Sequence, residues 1–166
     1  TVPRASIEDV DAAVASAVRG AAIMKDMPGY RRFEILRKAA DLMQERRDDL
    51  GQTITLEEGK VISEGLGEVD RGIQTISLSG EEAKRLYGET IPSARADQRF
   101  IVAHQPVGVV AAITPWNYPV SMITRKLAPA LAAGCTVVLK PAEATPLCAR
   151  AVFEILHEAG LPAGVA

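Results

Sequence analysis

The chain has 166 residues, 48% of them apolar, which suits one domain or a two-layer part of a larger fold. Nineteen Lys and Arg residues stand against 21 Asp and Glu residues, a net charge of -2, and the scattered charges do not favour nucleic acid or an anionic membrane as a partner. The longest apolar stretches, 107–113 and 127–133, are far shorter than the roughly 20 residues of a membrane span. No basic segment followed by an apolar one begins the chain, so we expect no secretory signal and a cytoplasmic location.

The first half of the chain, residues 6 to about 90, has the pattern of a helical layer. Ser6 and Asp9 are spaced as a capping box, and small apolar residues follow at steps of three and four. The predicted apolar stripe consists of Val10, Ala13, Val14, Ala17, Val18 and Ala21. A break at 27–29 separates this helix from a second one that carries another apolar stripe.

Two further helices complete the predicted layer. Asp48 is placed to cap a third helix, which should end at the Gly59 turn. A fourth helix is predicted from the region of Ile62 through Lys84, although several glycines fall within it.

Beyond Gly88 the pattern changes to strands that alternate with helices. Residues 100–104 form a short strand candidate, and the uninterrupted apolar run 107–113 suits a strand buried on both faces of a parallel sheet. A helix from Val120 should be kinked or ended by Pro129.

Gly134 should close that helix, a second buried strand is predicted at 136–139, and Thr145 is placed to cap a last helix. The series predicts an α/β fold in three parts: a helical segment (1–90), a linking strand region (91–106) and the first βαβα part of a doubly wound sheet (107–166).

Two polar motifs follow the two predicted buried strands, where doubly wound sheets bind ligands. Asn117 lies between Pro115 and Pro119, so its amide could donate to an oxyanion, although Asn and Pro are also ordinary turn residues. Lys140 and Glu143 could hydrogen-bond the hydroxyls of a ribose, although they could equally be a solvated ion pair.

The two cysteines do not supply an evident reactive site. Cys135 and Cys148 have no Cys or His neighbours at metal-ligand spacing, so we expect neither a disulfide framework nor a metal site. Cys135 enters an apolar strand and Cys148 lies on an apolar helix, and neither setting activates a thiol. Both are predicted to be reduced and structural.

The segments 113–119 (Ile-Thr-Pro-Trp-Asn-Tyr-Pro), 122–126 (Met-Ile-Thr-Arg-Lys) and 140–143 (Lys-Pro-Ala-Glu) together resemble the NAD(P)-dependent aldehyde dehydrogenase superfamily, most closely its succinate-semialdehyde branch. Tyr118 departs from the Phe that is commoner in the family. The resemblance implies the N-terminal helical layer and an incomplete, Rossmann-like doubly wound sheet. It covers nearly the whole chain but only the N-terminal part of the family.

The resemblance also implies roles for individual residues. Asn117 would be the catalytic oxyanion donor, Lys126 would lie near the cofactor and the reacting centre, and Arg125 would bind the distal carboxylate of the substrate. The implied cofactor-binding residues are Ile113, Thr114, Pro115, Trp116, Lys140 and Glu143. The carboxylate of Glu143 would repel a 2'-phosphate, which favours NAD and leaves NADP open.

The implied activity is oxidation of an aldehyde, such as succinate semialdehyde, to the carboxylic acid with NAD(P) as hydride acceptor. The family's catalytic Cys and Glu are not among these residues, so the chain alone is expected to be inactive. An alternative is a short, non-catalytic paralogue that binds nucleotide or caps a subunit. We expect a small aldehyde as substrate. We also expect self-association or pairing with further polypeptide, because family members pair through arms near Phe100 and a sheet of two strands exposes apolar edges.

Overall fold

The computed structural model describes residues 4–166, and that range contains six helices and two small sheets. The helices are α1 (Ile7–Asp26), α2 (Gly29–Glu45), α3 (Arg47–Glu58), α4 (Ile62–Ala83), α5 (Pro119–Ala132) and α6 (Pro146–Glu158). The strands are β1 (Glu89–Ile91), β2 (Phe100–Val102), β3 (Val109–Ile113) and β4 (Thr136–Lys140). The first three residues of the predicted helical segment lie outside the described range. None of the described helices combines the length and the apolar character that crossing a membrane requires.

Helix α1 begins with the predicted capping box. The Asp9 N–H donates to Ser6 Oγ at 3.2 Å, and the Ser6 N–H donates to Asp9 Oδ2 at 2.8 Å. The predicted apolar face of this helix is wrong in part, because its valines at 10, 14 and 18 are exposed while Ala17, Gly20 and Met24 are buried. The helix turns its small residues inward because a Cβ at position 20 would lie 2.3 Å from the carbonyl oxygen of Gly164.

Helices α2, α3 and α4 pack against one another as a layer. The predicted cap of α3 is wrong: the helix begins at Arg47, so Asp48 lies in its first turn, where the helix dipole still favours an acidic residue. The helix ends at Gly59 as expected, with a left-handed φ of 81°. The glycines do not interrupt α4. At Gly72 the missing side chain permits close packing of α4 against α5, because a Cβ there would lie 3.2 Å from Val120.

The helical layer gives way to an exposed hairpin. Helix α4 ends at Ala83, so residues 84–90 of the predicted helical segment are not helical. Strand β1 pairs with β2 in antiparallel register, and every residue of both strands is exposed. The second strand stops at Val102, two residues earlier than expected, because the chain leaves the pairing there.

The second sheet confirms the predicted strand, helix, strand, helix series. Strands β3 and β4 are parallel, α5 connects them, and α6 follows. Helix α5 continues past Pro129 to Ala132 instead of ending at the proline. Pro129 has no backbone N–H, so the carbonyl of Arg125 receives no hydrogen bond from it. Both residues are exposed, so water can donate to that carbonyl instead. Gly134, with a φ of 88°, closes the segment as expected.

One continuous apolar core joins the helical layer to the second sheet. Helix α4 packs on α2, α3 and α5, and α6 packs on α2, α3 and α5. The fully buried side chains include Leu36, Met43, Ile76, Leu131 and Ile155. The C-terminal residues also contact the sheet, because the Val137 N–H of β4 donates to the Val165 carbonyl at 2.9 Å.

Candidate active site

The two predicted polar motifs lie in turns that begin at the same edge of the second sheet. In the parallel register Ile113 lies opposite Lys140, and the Thr114 N–H donates to the Lys140 carbonyl at 3.2 Å. Thr114 is buried, whereas Pro115 and Trp116 are exposed. The turn after β3 and the turn after β4 therefore start side by side, with the Trp116 ring facing outward.

Asn117 stands at the surface of the first turn with an unused side-chain amide. Its amide forms no hydrogen bond with any residue of 4–166, so both of its N–H groups can reach a ligand. Its backbone is held instead, since the carbonyl oxygen of Asn117 accepts a hydrogen bond from Lys60 Nζ at 3.0 Å.

The N-terminus of α5, directly after this turn, is capped by a remote carboxylate. Glu68 of α4 has no exposed surface, and its Oε1 accepts the N–H groups of Val120 and Ser121 at 2.8 and 3.0 Å. Its other oxygen, Oε2, accepts from Lys60 Nζ at 2.8 Å. Both oxygens are thus satisfied, as a buried charge requires.

Lys60 is the centre of this cluster. Its ammonium lies 3.2 Å from Glu58 Oε2 and 4.0 Å from the centre of the Tyr118 ring, which is a cation–π distance. Burial by itself would lower the pKa of Lys60, but the hydrogen bond to Glu68 and the adjacent Glu58 carboxylate outweigh it, so the pKa is raised and the ammonium stays charged. Burial also raises the pKa of Glu58, against the opposing effect of Lys60.

Glu68 and Lys60 were not predicted from the sequence. A signal was present for Glu68, because it falls on the buried stripe of α4 that also carries Gly65, Val69 and Gly72. A glutamate on such a stripe is almost never buried without a partner. No comparable signal marked Lys60, which follows the Gly59 turn among other polar residues.

Arg125 lines a shallow hollow of about 200 Å³ beside the same turn. The other lining residues are Arg71, Tyr118, Ser121 and Met122. Among residues 4–166 neither Arg71 nor Arg125 has an acidic partner, and the Arg71 guanidinium lies 5.4 Å from the centre of the Tyr118 ring. Lys126 is partly buried on the same helix and does not line the hollow. Arg71 was not predicted, because its position on α4 becomes relevant only when α4 packs against α5.

Lys140 and Glu143 form an exposed ion pair after β4. Lys140 Nζ donates to Glu143 Oε2 at 2.6 Å, and this bond is the main reason that the pKa of Glu143 lies below its usual value. The pair offers an ammonium donor and a carboxylate acceptor to solvent at the edge where Thr114 and Trp116 also lie. That donor set suits a diol such as a ribose.

The helix after this turn is also capped from a distance, and the predicted cap is wrong. Thr145 occupies the N-cap position of α6, but its side chain makes no capping bond. Glu57 of α3 caps the helix instead, accepting the N–H groups of Leu147 and Cys148 at 2.8 Å each. A carboxylate also complements the positive end of the helix dipole.

Neither cysteine is placed for nucleophilic chemistry. Cys135 and Cys148 are free and buried. Burial, together with the nearby Glu57 carboxylate, raises the pKa of Cys148 far above that of a reactive thiol. Residues 4–166 contain no group of three His, Cys, Asp or Glu side chains arranged to hold a metal ion.

A profile of the aldehyde dehydrogenase family matches residues 1–166. The chain belongs to the aldehyde dehydrogenase family. Within that family, it is 48% identical over 165 residues to a succinate-semialdehyde dehydrogenase (NADP(+)) of Escherichia coli strain K12 and 47% identical over 165 residues to a glutarate-semialdehyde dehydrogenase of Pseudomonas putida. Each alignment covers 99% of this chain and 34% of the relative.

Solved structures agree with the fold. An NADP-dependent enzyme of E. coli superposes with a TM-score of 0.97 at 49% identity, covering 99% of this chain and 34% of that one. Aldehyde dehydrogenase 21 from Physcomitrella patens, in complex with the reaction product succinate, superposes with a TM-score of 0.94 at 43% identity, covering 99% of this chain and 35% of that one. The chain therefore spans about a third of the length of these relatives.

Proposed function

We propose that this chain supplies the oxyanion donor, the substrate-anion site and part of the dinucleotide site of an enzyme that oxidises a semialdehyde to its carboxylic acid. One observation carries the proposal. Ile113 and Lys140 are register partners, so the Asn117 turn and the Lys140 turn share one sheet edge, next to the hollow that Arg125 lines. Relatives named as succinate- and glutarate-semialdehyde dehydrogenases support the substrate class.

Asn117 is proposed to stabilise charge on the reacting carbonyl oxygen. When a thiolate adds to an aldehyde, that oxygen becomes negative, and a donor already aimed at it stabilises the transition state without reorganising. The free side-chain amide of Asn117, on a backbone that Lys60 holds by the carbonyl, meets that requirement. Lys126, one residue beyond Arg125 on α5, is proposed to add positive charge near the same centre.

The hollow is proposed to bind the distal carboxylate of the substrate. Two guanidiniums without acidic partners in 4–166, those of Arg125 and Arg71, border it. A guanidinium binds a carboxylate through two parallel hydrogen bonds, so this lining favours an acidic aldehyde over a neutral one.

Lys140 and Glu143 are proposed to bind the adenosine ribose of a dinucleotide, with Ile113, Thr114, Pro115 and Trp116 along the same edge. When bound, the nicotinamide accepts the hydride from the substrate. The exposed carboxylate of Glu143 favours NAD, because a 2'-phosphate would be repelled, and the NADP-dependent relatives keep NADP open.

The acylating thiolate is proposed to come from residues beyond this chain, because Cys135 and Cys148 are buried. The test uses a polypeptide of full family length that carries this sequence. We expect it to oxidise succinate semialdehyde, and Asn117→Ala to slow acylation by about 100- to 1000-fold, the loss expected for one oxyanion donor.

Two results would contradict this mechanism. An unchanged acylation rate in Asn117→Ala would remove the amide from the reaction. Turnover by the 166-residue chain alone, surviving replacement of both cysteines, would mean that no outside thiolate is needed.

A further inference from the structure

We propose that Glu68 and Lys60 are positioning residues that hold the Asn117 turn in its reactive geometry. Neither side chain needs to touch the substrate, since both act on the backbone on either side of Asn117. The inference rests on the proposed oxyanion role of Asn117, because positioning matters only if that amide takes part in the reaction.

Glu68 fixes the side of the turn that follows Asn117. Its Oε1 accepts the N–H groups of Val120 and Ser121, two of the donors that the first turn of α5 leaves without partners inside the helix. The carboxylate is fully buried and lies at the positive end of the helix dipole, so its bonds are not exchanged with water. The start of α5 is thereby tied to the second turn of α4.

Lys60 fixes Asn117 itself. One ammonium donates to the Asn117 carbonyl at 3.0 Å and to Glu68 Oε2 at 2.8 Å, and it faces the Tyr118 ring at 4.0 Å. These contacts hold residue 117 by its main chain and residue 118 by its ring. The Asn117 side chain forms no hydrogen bond with any residue of 4–166 and stays free to act on a ligand.

Glu68 and Lys60 act as a pair, because each balances the charge of the other. Without Lys60, a buried carboxylate would lose its cation, and without Glu68, the ammonium would lose the acceptor that directs it toward the turn. A misplacement of about 1 Å can cost about 100-fold in rate.

The test compares Glu68→Gln with Glu81→Gln in a polypeptide of full family length. Glu81 lies on the same helix and forms an exposed pair with Lys84 at 2.8 Å, so it controls for the loss of one carboxylate from α4. We expect Glu68→Gln to slow single-turnover acylation by about 10- to 100-fold, with the dissociation constant for NAD nearly unchanged, and Glu81→Gln to have no such effect.

The deciding measurement is the double variant with Asn117→Ala. If Glu68 acts by positioning the Asn117 amide, Glu68→Gln should not slow acylation further in a protein that already carries Asn117→Ala. Rate losses that multiply would show that Glu68 acts elsewhere, and would overturn the inference. If Asn117→Ala alone leaves the rate unchanged, the proposed oxyanion role fails and the positioning role fails with it. If Glu68→Gln does not fold, Lys60→Gln, at a partly exposed position, takes its place with the same criterion.

Discussion

Replacing Glu57 by alanine should lower the free energy of unfolding by about 2 kcal/mol, because it removes the only side-chain cap of α6 among residues 4–166. The loss of a helix cap costs about 1 kcal/mol, and the interaction of a carboxylate with the helix dipole adds up to about 1 kcal/mol. The Cys148 N–H is partly buried and is left without an acceptor, whereas the Leu147 N–H is exposed and can turn to water. That difference keeps the total below the sum for two buried bonds to a charge.

The assay is equilibrium unfolding in urea followed by circular dichroism. With an m value of about 2 kcal/mol per M, the midpoint should fall by about 1 M. Gln52→Ala is the matched control, since it shortens an exposed polar side chain on the same helix, and it should leave the midpoint nearly unchanged. Glu57→Gln should fall between the two, because the remaining amide oxygen can accept one of the two N–H groups. Equal midpoints for Glu57→Ala and Gln52→Ala would refute the assignment of the cap.

Three further predictions concern charge. Arg47 donates to both oxygens of Asp70, at 2.6 and 2.8 Å, and this holds the pKa of Asp70 below its usual value. The stabilisation should be present above pH of about 4 and lost as pH falls through the lower folded pKa, so Asp70→Asn should lower the unfolding temperature more at pH 7 than near pH 2. An equal deficit at both pH values would contradict it. In a polypeptide of full family length, Arg125→Ala should raise the KM for succinate semialdehyde far more than for an uncharged aldehyde, and equal effects would remove the carboxylate role. Glu143→Gln should raise the ratio of kcat/KM for NADP to that for NAD by about fivefold, and an unchanged ratio would show that the carboxylate does not select the cofactor.

Much of the fold could be predicted because its signals are local. The capping box at Ser6 and Asp9 uses residues three apart, and the structure contains both of its bonds. The two apolar runs form parallel strands as predicted, because a helix that joins neighbouring strands makes a crossover. The prediction that the first run is buried on both faces is wrong, since β3 begins at Val109 and buries only Ala112. The α1 stripe failed for the opposite reason, since the face that is buried depends on the approach of Gly164, far along the chain.

The sequence by itself determined the family resemblance, the βαβα series and the position of Asn117, Lys140 and Glu143 at the ends of strands. Only the tertiary structure decided which groups cap α5 and α6 and which cation stands beside Arg125. Glu68, Lys60, Glu57 and Arg71 all act on residues more than 45 positions away. Periodicity shows which face of a helix is apolar, but the partner of a polar group depends on how whole helices pack, and that packing brought these side chains to the two strand ends.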